Sequence, residues 1–292
     1  MEPFEYRRAE SIAEAVTLLN EPGLRSVPLA GSTDLVLLLK HAEIQCDRIV
    51  DISMVPEMLD IRQEDGCVVI GAAASFSSVI CSPLVRSTAP LLVQACRTVG
   101  AVQIRNMGTL GGNVANAAAC ADSLPALVCL NAVATVRTPE GEREWTVSEL
   151  ITGPNRTLIP KGGLLVSMRY PIPAPGSRST FLKLGRRNAL AISRLTIAAL
   201  GRVDEDGRIV EARLVPGSST PQVIHFEPVE QYLLGKIPGP EVYSAAAQVA
   251  ADEMLRISGW RWSSEYKMPT LIALTARALA QVFDPQPAGE TK

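Results

Sequence analysis

Aromatic residues are scarce: Phe, Trp and Tyr together make up 4% of the 292 residues. That leaves few rings for a base-stacking surface, and a formal net charge of -2 offers no basic face, so neither property favours a nucleic-acid partner. Histidine occurs twice, as His41 and His225, with no motif around either, so neither is expected to act in catalysis. The six cysteines, Cys46, Cys67, Cys81, Cys96, Cys120 and Cys129, include no C-x-x-C pair. Zinc and iron–sulfur ligation within this chain are therefore not expected, and most of these thiols read as buried and free. No apolar run approaches the roughly 20 residues of a membrane helix. Met1 to Glu5 lacks the basic and apolar regions of a secretion signal. A reducing cytoplasm fits all of this. No internal repeat and no low-complexity tract is present.

What is present is the balance of a globular protein, 47% hydrophobic and 20% charged, in a chain long enough for one large or two ordinary domains. The stretch from Val99 to Leu130 organises the rest. Within it, Gly108-Thr109-Leu110-Gly111-Gly112-Asn113-Val114-Ala115-Asn116 pairs two glycines with hydroxyl and amide groups. Glycines admit φ > 0 and a close backbone approach, and free N–H groups in such a turn make a nest for an anion. The spacing alone is more often that of a plain turn. It is neither a Walker loop nor a G-x-G-x-x-G fingerprint. Asp122 reads as the N-cap of a helix with Pro125 in its first turn.

Taken in order, Phe4–Arg7 reads as a strand, and Ser11 with Glu14 as the capping box of a helix over 12–20 stopped by Gly23. A strand over 26–30 leads through Gly31-Ser32-Thr33-Asp34 into an apolar helix over 35–40. This is a second candidate anion cradle, with Thr33 or Asp34 as N-cap, though many α/β turns look alike. A strand over 48–52 completes a βαβαβ unit. Hairpins are expected around Glu64-Asp65-Gly66, Pro139-Glu140-Gly141 and Asp204-Glu205-Asp206-Gly207. Short helices follow Ser75 and Pro90, the latter ending at Gly100, and Gln103–Asn106 leads into the glycine segment. Strands are expected over 164–169, 180–187, 192–203 and 208–215, and helices over 240–256 and 266–283. Pro171–Ser179 is the best boundary. The tail from Asp284 reads as disordered.

Three strings carry a resemblance: Ala30-Gly31-Ser32-Thr33-Asp34-Leu35; Ile104-Arg105-Asn106-Met107-Gly108-Thr109-Leu110-Gly111-Gly112-Asn113 followed by Ala121-Asp122; and Lys183-Leu184-Gly185-Arg186-Arg187. In this order the chain resembles the FAD-binding subunit of molybdenum hydroxylases, the medium-subunit family of xanthine dehydrogenase and carbon monoxide dehydrogenase, over nearly its whole length. The resemblance implies an α+β fold: a two-subdomain FAD-binding fold of the vanillyl-alcohol-oxidase (PCMH) type over 1–175, divided near 55, then an α+β domain of a small antiparallel sheet with helices over 176–284 and a tail over 285–292. It implies FAD contacts from Leu29, Ala30, Gly31, Ser32, Thr33 and Asp34 in one loop and from Thr109, Leu110, Gly111, Gly112 and Asn113 in the other. Asp122, Val99, Leu165 and Lys183 match further contacts. Ser32 stands where glycine is common; if that position needs φ > 0, a side chain there costs roughly 1–2 kcal/mol.

The same resemblance implies an electron-transfer subunit with no catalytic acid–base residue and no metal ligand of its own. Its partners are a large molybdenum-cofactor subunit, a small [2Fe–2S] subunit and NAD or another acceptor, in a dimer of heterotrimers. A stand-alone flavin reductase or oxidase, and an assembly subunit that has lost FAD, are the competing readings. Arg105 is the cation nearest the two loops, and reads equally as a solvated or salt-bridged surface arginine. Arg186 and Arg187 read as a solvated strand end, or as contacts to FAD or a docking subunit. Trp260 and Trp262 read as packing between helices, or as docking residues.

Overall fold

A computed structural model of the chain describes residues 3–284, so the expectation for the tail over 285–292 lies outside the described residues. The first unit runs β1 (Glu5–Arg8), α1 (Ile12–Leu19), β2 (Ser26–Leu29), α2 (Leu35–Lys40) and β3 (Arg48–Asp51). Its three strands are parallel in the order β1-β3-β2. α1 buries Ala15, Val16 and Leu19 and starts on Ser11, whose hydroxyl accepts the Glu14 N–H. The expected capping box is only half formed, because the Glu14 carboxylate reaches back to the N–H of Glu10 rather than of Ser11.

The second unit begins with α3 (Pro56–Leu59) and the hairpin β4 (Ile61–Glu64) and β5 (Cys67–Gly71). Its turn places Asp65 and Gly66 at positive φ, the combination a tight two-residue hairpin requires. Helices α4 (Phe76–Cys81), α5 (Pro83–Thr88), α6 (Pro90–Arg97), α7 (Val102–Met107), α8 (Leu110–Asn116) and α9 (Ser123–Cys129) are then inserted before the sheet resumes. It resumes with β6 (Val133–Thr138) and β7 (Gly141–Thr146), then α10 (Val147–Leu150), the small ladder β8 (Ile151–Gly153) and β9 (Arg156–Thr157), and β10 (Leu164–Pro171). β10 lies at the centre of an antiparallel sheet, order β4-β5-β10-β6-β7.

The third unit is the antiparallel sheet β11 (Arg178–Gly185), β12 (Ser193–Val203), β13 (Ile209–Gly217), with α11 (Glu227–Leu233), α12 (Pro240–Ser258) and α13 (Ser264–Phe283). β12 is buried on both faces. Leu195, Ile197 and Ala199 join the core under α11–α13, whereas the alternate residues Ala198 and Leu200 join the large core of the second unit. A strand whose side chains alternate between two cores reads as one continuous apolar run, and a one-residue slip would exchange its two faces.

Two expectations for the middle of the chain are corrected here. Gln103–Asn106 is not a lead-in but the body of helix α7, and the glycine segment is not a loop but helix α8, with Thr109 as its N-cap. Gly111 and Gly112 do not take positive φ. Gly111 serves close approach instead: a Cβ there would stand 2.5 Å from the carbonyl oxygen of Ala72 and 2.7 Å from its Cα. Gly111→Ala is therefore expected to lower stability by roughly 1–3 kcal/mol through overpacking against fixed backbone. An unchanged melting temperature for this variant would show that α8 is not held by that contact.

Candidate cofactor-binding site

The first wall of the site is the turn that joins β2 to α2. Ser32 sits there at φ 58, so the left-handed conformation that the sequence left conditional is the one adopted. Neither expected N-cap makes a side-chain cap: Asp34 occupies the position, but its carboxylate accepts no capping bond. Among the described residues the backbone N–H groups of Gly31, Ser32, Thr33 and Asp34 meet no protein acceptor. Consecutive free N–H groups around a left-handed residue form a nest for an anion. Gly31 is needed for space rather than for φ, since a Cβ would lie 2.1 Å from the carbonyl oxygen of Met107.

The second wall is different in kind. The N–H groups of Leu110 and Gly111 donate to the carbonyls of Ala74 and Ala72, and that of Gly112 donates to Thr109 Oγ1. The Asn113 N–H donates to the Thr109 carbonyl. The donors expected to make a nest here are thus taken by the protein itself. What α8 offers is a surface without bulk at Gly112 and Ala115, and the Asn113 amide, whose Oδ1 accepts the Ser123 hydroxyl at 2.6 Å.

Asp122 closes the far end. It stands at the start of α9 but does not cap it. Its carboxylate, 5% exposed, accepts instead from Lys183 Nζ at 2.6 Å, Ser193 Oγ at 2.5 Å and Thr98 Oγ1 at 3.1 Å. Lys183 Nζ also donates to the Thr98 carbonyl at 3.0 Å. Three strands and helices that are distant in sequence are thereby joined around one carboxylate. Nearby, burial first and the Asp122 charge second raise the pKa of Cys120 and keep its thiol neutral.

Together these walls enclose a cleft of about 880 Å³, within the about 300–1,000 Å³ typical of ligand and cofactor sites. Of the residues expected at the site, Ala30 to Asp34, Val99, Thr109, Gly111 to Asn113, Asp122, Leu165 and Lys183 all line it. Two do not. Leu29 packs its side chain into the small core of the first unit, and Leu110, the first residue of α8, is fully buried in the large core. The cleft also takes in residues that no motif marked: Ile104 on α7, Cys120, and the run Leu190–Ser193 that enters β12. Ser193 had no sequence signal, because its partner Asp122 lies 71 positions earlier. Arg105, expected at the surface, ties the turn before α7 by donating to the carbonyls of Val99 and Gly100. Arg187 holds the carbonyls of Ala189 and Leu190. His225 bridges Glu230 and the Val128 carbonyl, away from the cleft. No helix among the described residues is long and apolar enough to cross a membrane.

Two family models match the chain: "FAD binding domain in molybdopterin dehydrogenase" over residues 2–173 and "CO dehydrogenase flavoprotein C-terminal domain" over residues 180–282. A xanthine dehydrogenase FAD-binding subunit from Escherichia coli O157:H7 is 29% identical over 94% of each chain. A glyceraldehyde dehydrogenase medium chain from Sulfolobus acidocaldarius is 30% identical over 96% of this chain and 98% of its own. The carbon monoxide dehydrogenase of Hydrogenophaga pseudoflava contains a chain that superposes with a TM-score of 0.88 at 28% identity, covering 97% of this chain and 98% of that one.

Two outcomes follow from the geometry. Ser32→Gly relieves a left-handed side chain and is expected to raise stability by at most about 1 kcal/mol, the strain lost being partly offset by the flexibility glycine adds to the unfolded chain; a lower melting temperature would contradict it. Lys183→Met leaves the Asp122 charge enclosed without its cation and is expected to cost about 3–5 kcal/mol. Adding Asp122→Asn should recover most of that loss, which thermal melting of the single and double variants measures.

Proposed function

The chain belongs to the family of FAD-binding subunits of molybdopterin dehydrogenases, and from that premise we propose that it is the subunit through which such an enzyme passes its electrons. The observation that carries this reading is the pairing of a free-donor turn with a side-chain-free wall across one dinucleotide-sized cleft. Bound there, FAD supplies the redox chemistry that joins an iron–sulfur donor to NAD or another acceptor.

The chain's own residues hold and orient. The N–H groups of Gly31–Asp34 take the pyrophosphate, which needs no basic side chain when several oriented amides face it. Thr109, Gly112 and Asn113 form the opposite wall, close enough for contact because the glycines carry no Cβ. Asp122 acts as a fixed acceptor, its geometry set by Lys183, Ser193 and Thr98 before any ligand arrives. Val99, Ile104, Leu165 and Ile192 supply the apolar lining that keeps water from a ring system. No side chain in the cleft is required to move a proton.

In this reading the partners are a large molybdenum-cofactor subunit and a small [2Fe–2S] subunit, assembled as a dimer of heterotrimers in the cytoplasm. Residues 1–175 form the FAD-binding domain and 176–284 the C-terminal domain. The substrate is selected by the large subunit; the relatives named above serve xanthine and glyceraldehyde dehydrogenases with chains of the same length and plan.

The test is the visible spectrum of the purified chain and of its Gly31→Val variant. The wild type is expected to show a flavin spectrum and to release FAD on denaturation, alongside polypeptides that carry molybdenum and [2Fe–2S]. Gly31→Val is expected to be colourless, because its side chain collides with the backbone at Met107. A wild-type chain that stays colourless after reconstitution with FAD would overturn the proposal, and FAD without partner polypeptides would favour a stand-alone flavoenzyme.

A further inference from the structure

The C-terminal sheet gathers several unrelated features at one end. β11 ends at Gly185, β12 begins at Ser193 and β13 ends at Gly217, and the pairings Gly185 with Ser193 and Thr196 with Gly217 bring these points together. The junction of α12 and α13 lies at the same end, because Ser258 Oγ donates to the Ser219 carbonyl and Lys267 Nζ to the Ser218 carbonyl at 2.7 Å. This is also the end that meets the cleft: Ser193 is bonded to Asp122, and the Ser218 hydroxyl donates to the Ala119 carbonyl.

Large apolar side chains are left in solvent here. Trp260 and Trp262 flank Arg261 on the α12–α13 turn, with Trp262 89% exposed, and Tyr266 is exposed one turn on. The expected packing of the two tryptophans between helices is therefore not what the fold does with them. Around them stand three cations, Arg194, Arg261 and Lys267. Arg261 and Lys267 bond only to backbone carbonyls and Arg194 makes no ion pair, so none of the three has a carboxylate at ion-pair distance among the described residues. Burial, and then the charges of Arg261 and Arg194, push the Lys267 pKa down, which places the three cations within each other's field. The Ser219 hydroxyl beneath them is buried and has no hydrogen-bond partner.

We infer that this end of the C-terminal sheet is a docking surface for a partner subunit of the same complex, one that presents acidic side chains around an apolar recess able to take Trp262. The charge argues for it: three uncompensated cations repel one another until carboxylates are brought to them. The composition argues for it as well, since Trp, Tyr and Arg are the residues that dominate the energy of protein–protein contacts. A small nucleotide fits the observations less well, because the tryptophans project from an open turn rather than lining a cleft. The inference rests on the multi-subunit reading above.

The experiment uses the complex purified through a tag on this chain from a host that makes all its subunits. Trp262→Ala, Arg261→Glu and Trp262→Phe are compared with wild type for molybdenum, iron and FAD per mole of tagged chain, and for melting temperature. Trp262→Ala and Arg261→Glu are expected to keep FAD and melt normally while losing at least tenfold of the bound molybdenum or iron subunit at moderate salt. Trp262→Phe should retain it. Full metal content in both disruptive variants would overturn the docking surface, and so would retained metal with a raised KM for a dinucleotide acceptor. A wild-type chain that carries FAD but no metal-bearing partner would instead bring down the multi-subunit reading, and this surface with it.

Discussion

The carboxylate of Asp122 is the point on which the assembly of this chain turns. A charge that is almost wholly removed from water is tolerable only when donors surround it. Here they come from three places: Thr98 beyond the end of α6, Lys183 on β11 and Ser193 at the start of β12. None of the three segments can move without leaving the charge short of a partner. The ion pair thereby fixes the C-terminal sheet against the helices that line the cleft, and it does so at the cleft's own wall. Whether such a pair adds net stability is a separate matter; its effect on position follows from geometry alone.

The two sides of the cleft solve one problem by different means. The turn at Gly31–Asp34 leaves its amides unused and accepts a strained residue at Ser32. Helix α8 has its first amides taken by protein acceptors and contributes a wall with little bulk beside the Asn113 side chain. A ligand between them would be held from one side and fitted from the other. One glycine on each side is explained by backbone approach, Gly31 to Met107 and Gly111 to Ala72, and not by φ.

Much of this was legible in the sequence, and the exceptions have physical causes. The strands were readable because turn residues bracket them; that β12 is buried on both faces appears only in the structure. The two motif strings drew attention because their residue types are unusual together, and the resemblance added Asp122; the structure brings both strings and Asp122 to one cleft. Helix α8 was missed because two adjacent glycines are poor helix formers; the contact with Ala72 outweighs that preference, and no local rule contains Ala72. Asp122 read as an N-cap because its local neighbours suit one, whereas its partners lie 61 and 71 positions away. Leu190–Ser193 carried no signal at all, since their place in the cleft is set by the register of β11 against β12.

The cleft's walls are drawn from Pro28 at one extreme to Ser193 at the other. A nascent chain emerging from the ribosome therefore has no complete binding site when its first two sheets are already made. Asp122 is synthesised well before Lys183 and Ser193, and until they arrive it must remain hydrated. The cleft is in this sense completed late in the life of the polypeptide, by the appearance of β11 and β12 rather than by the glycine motifs that make it recognisable.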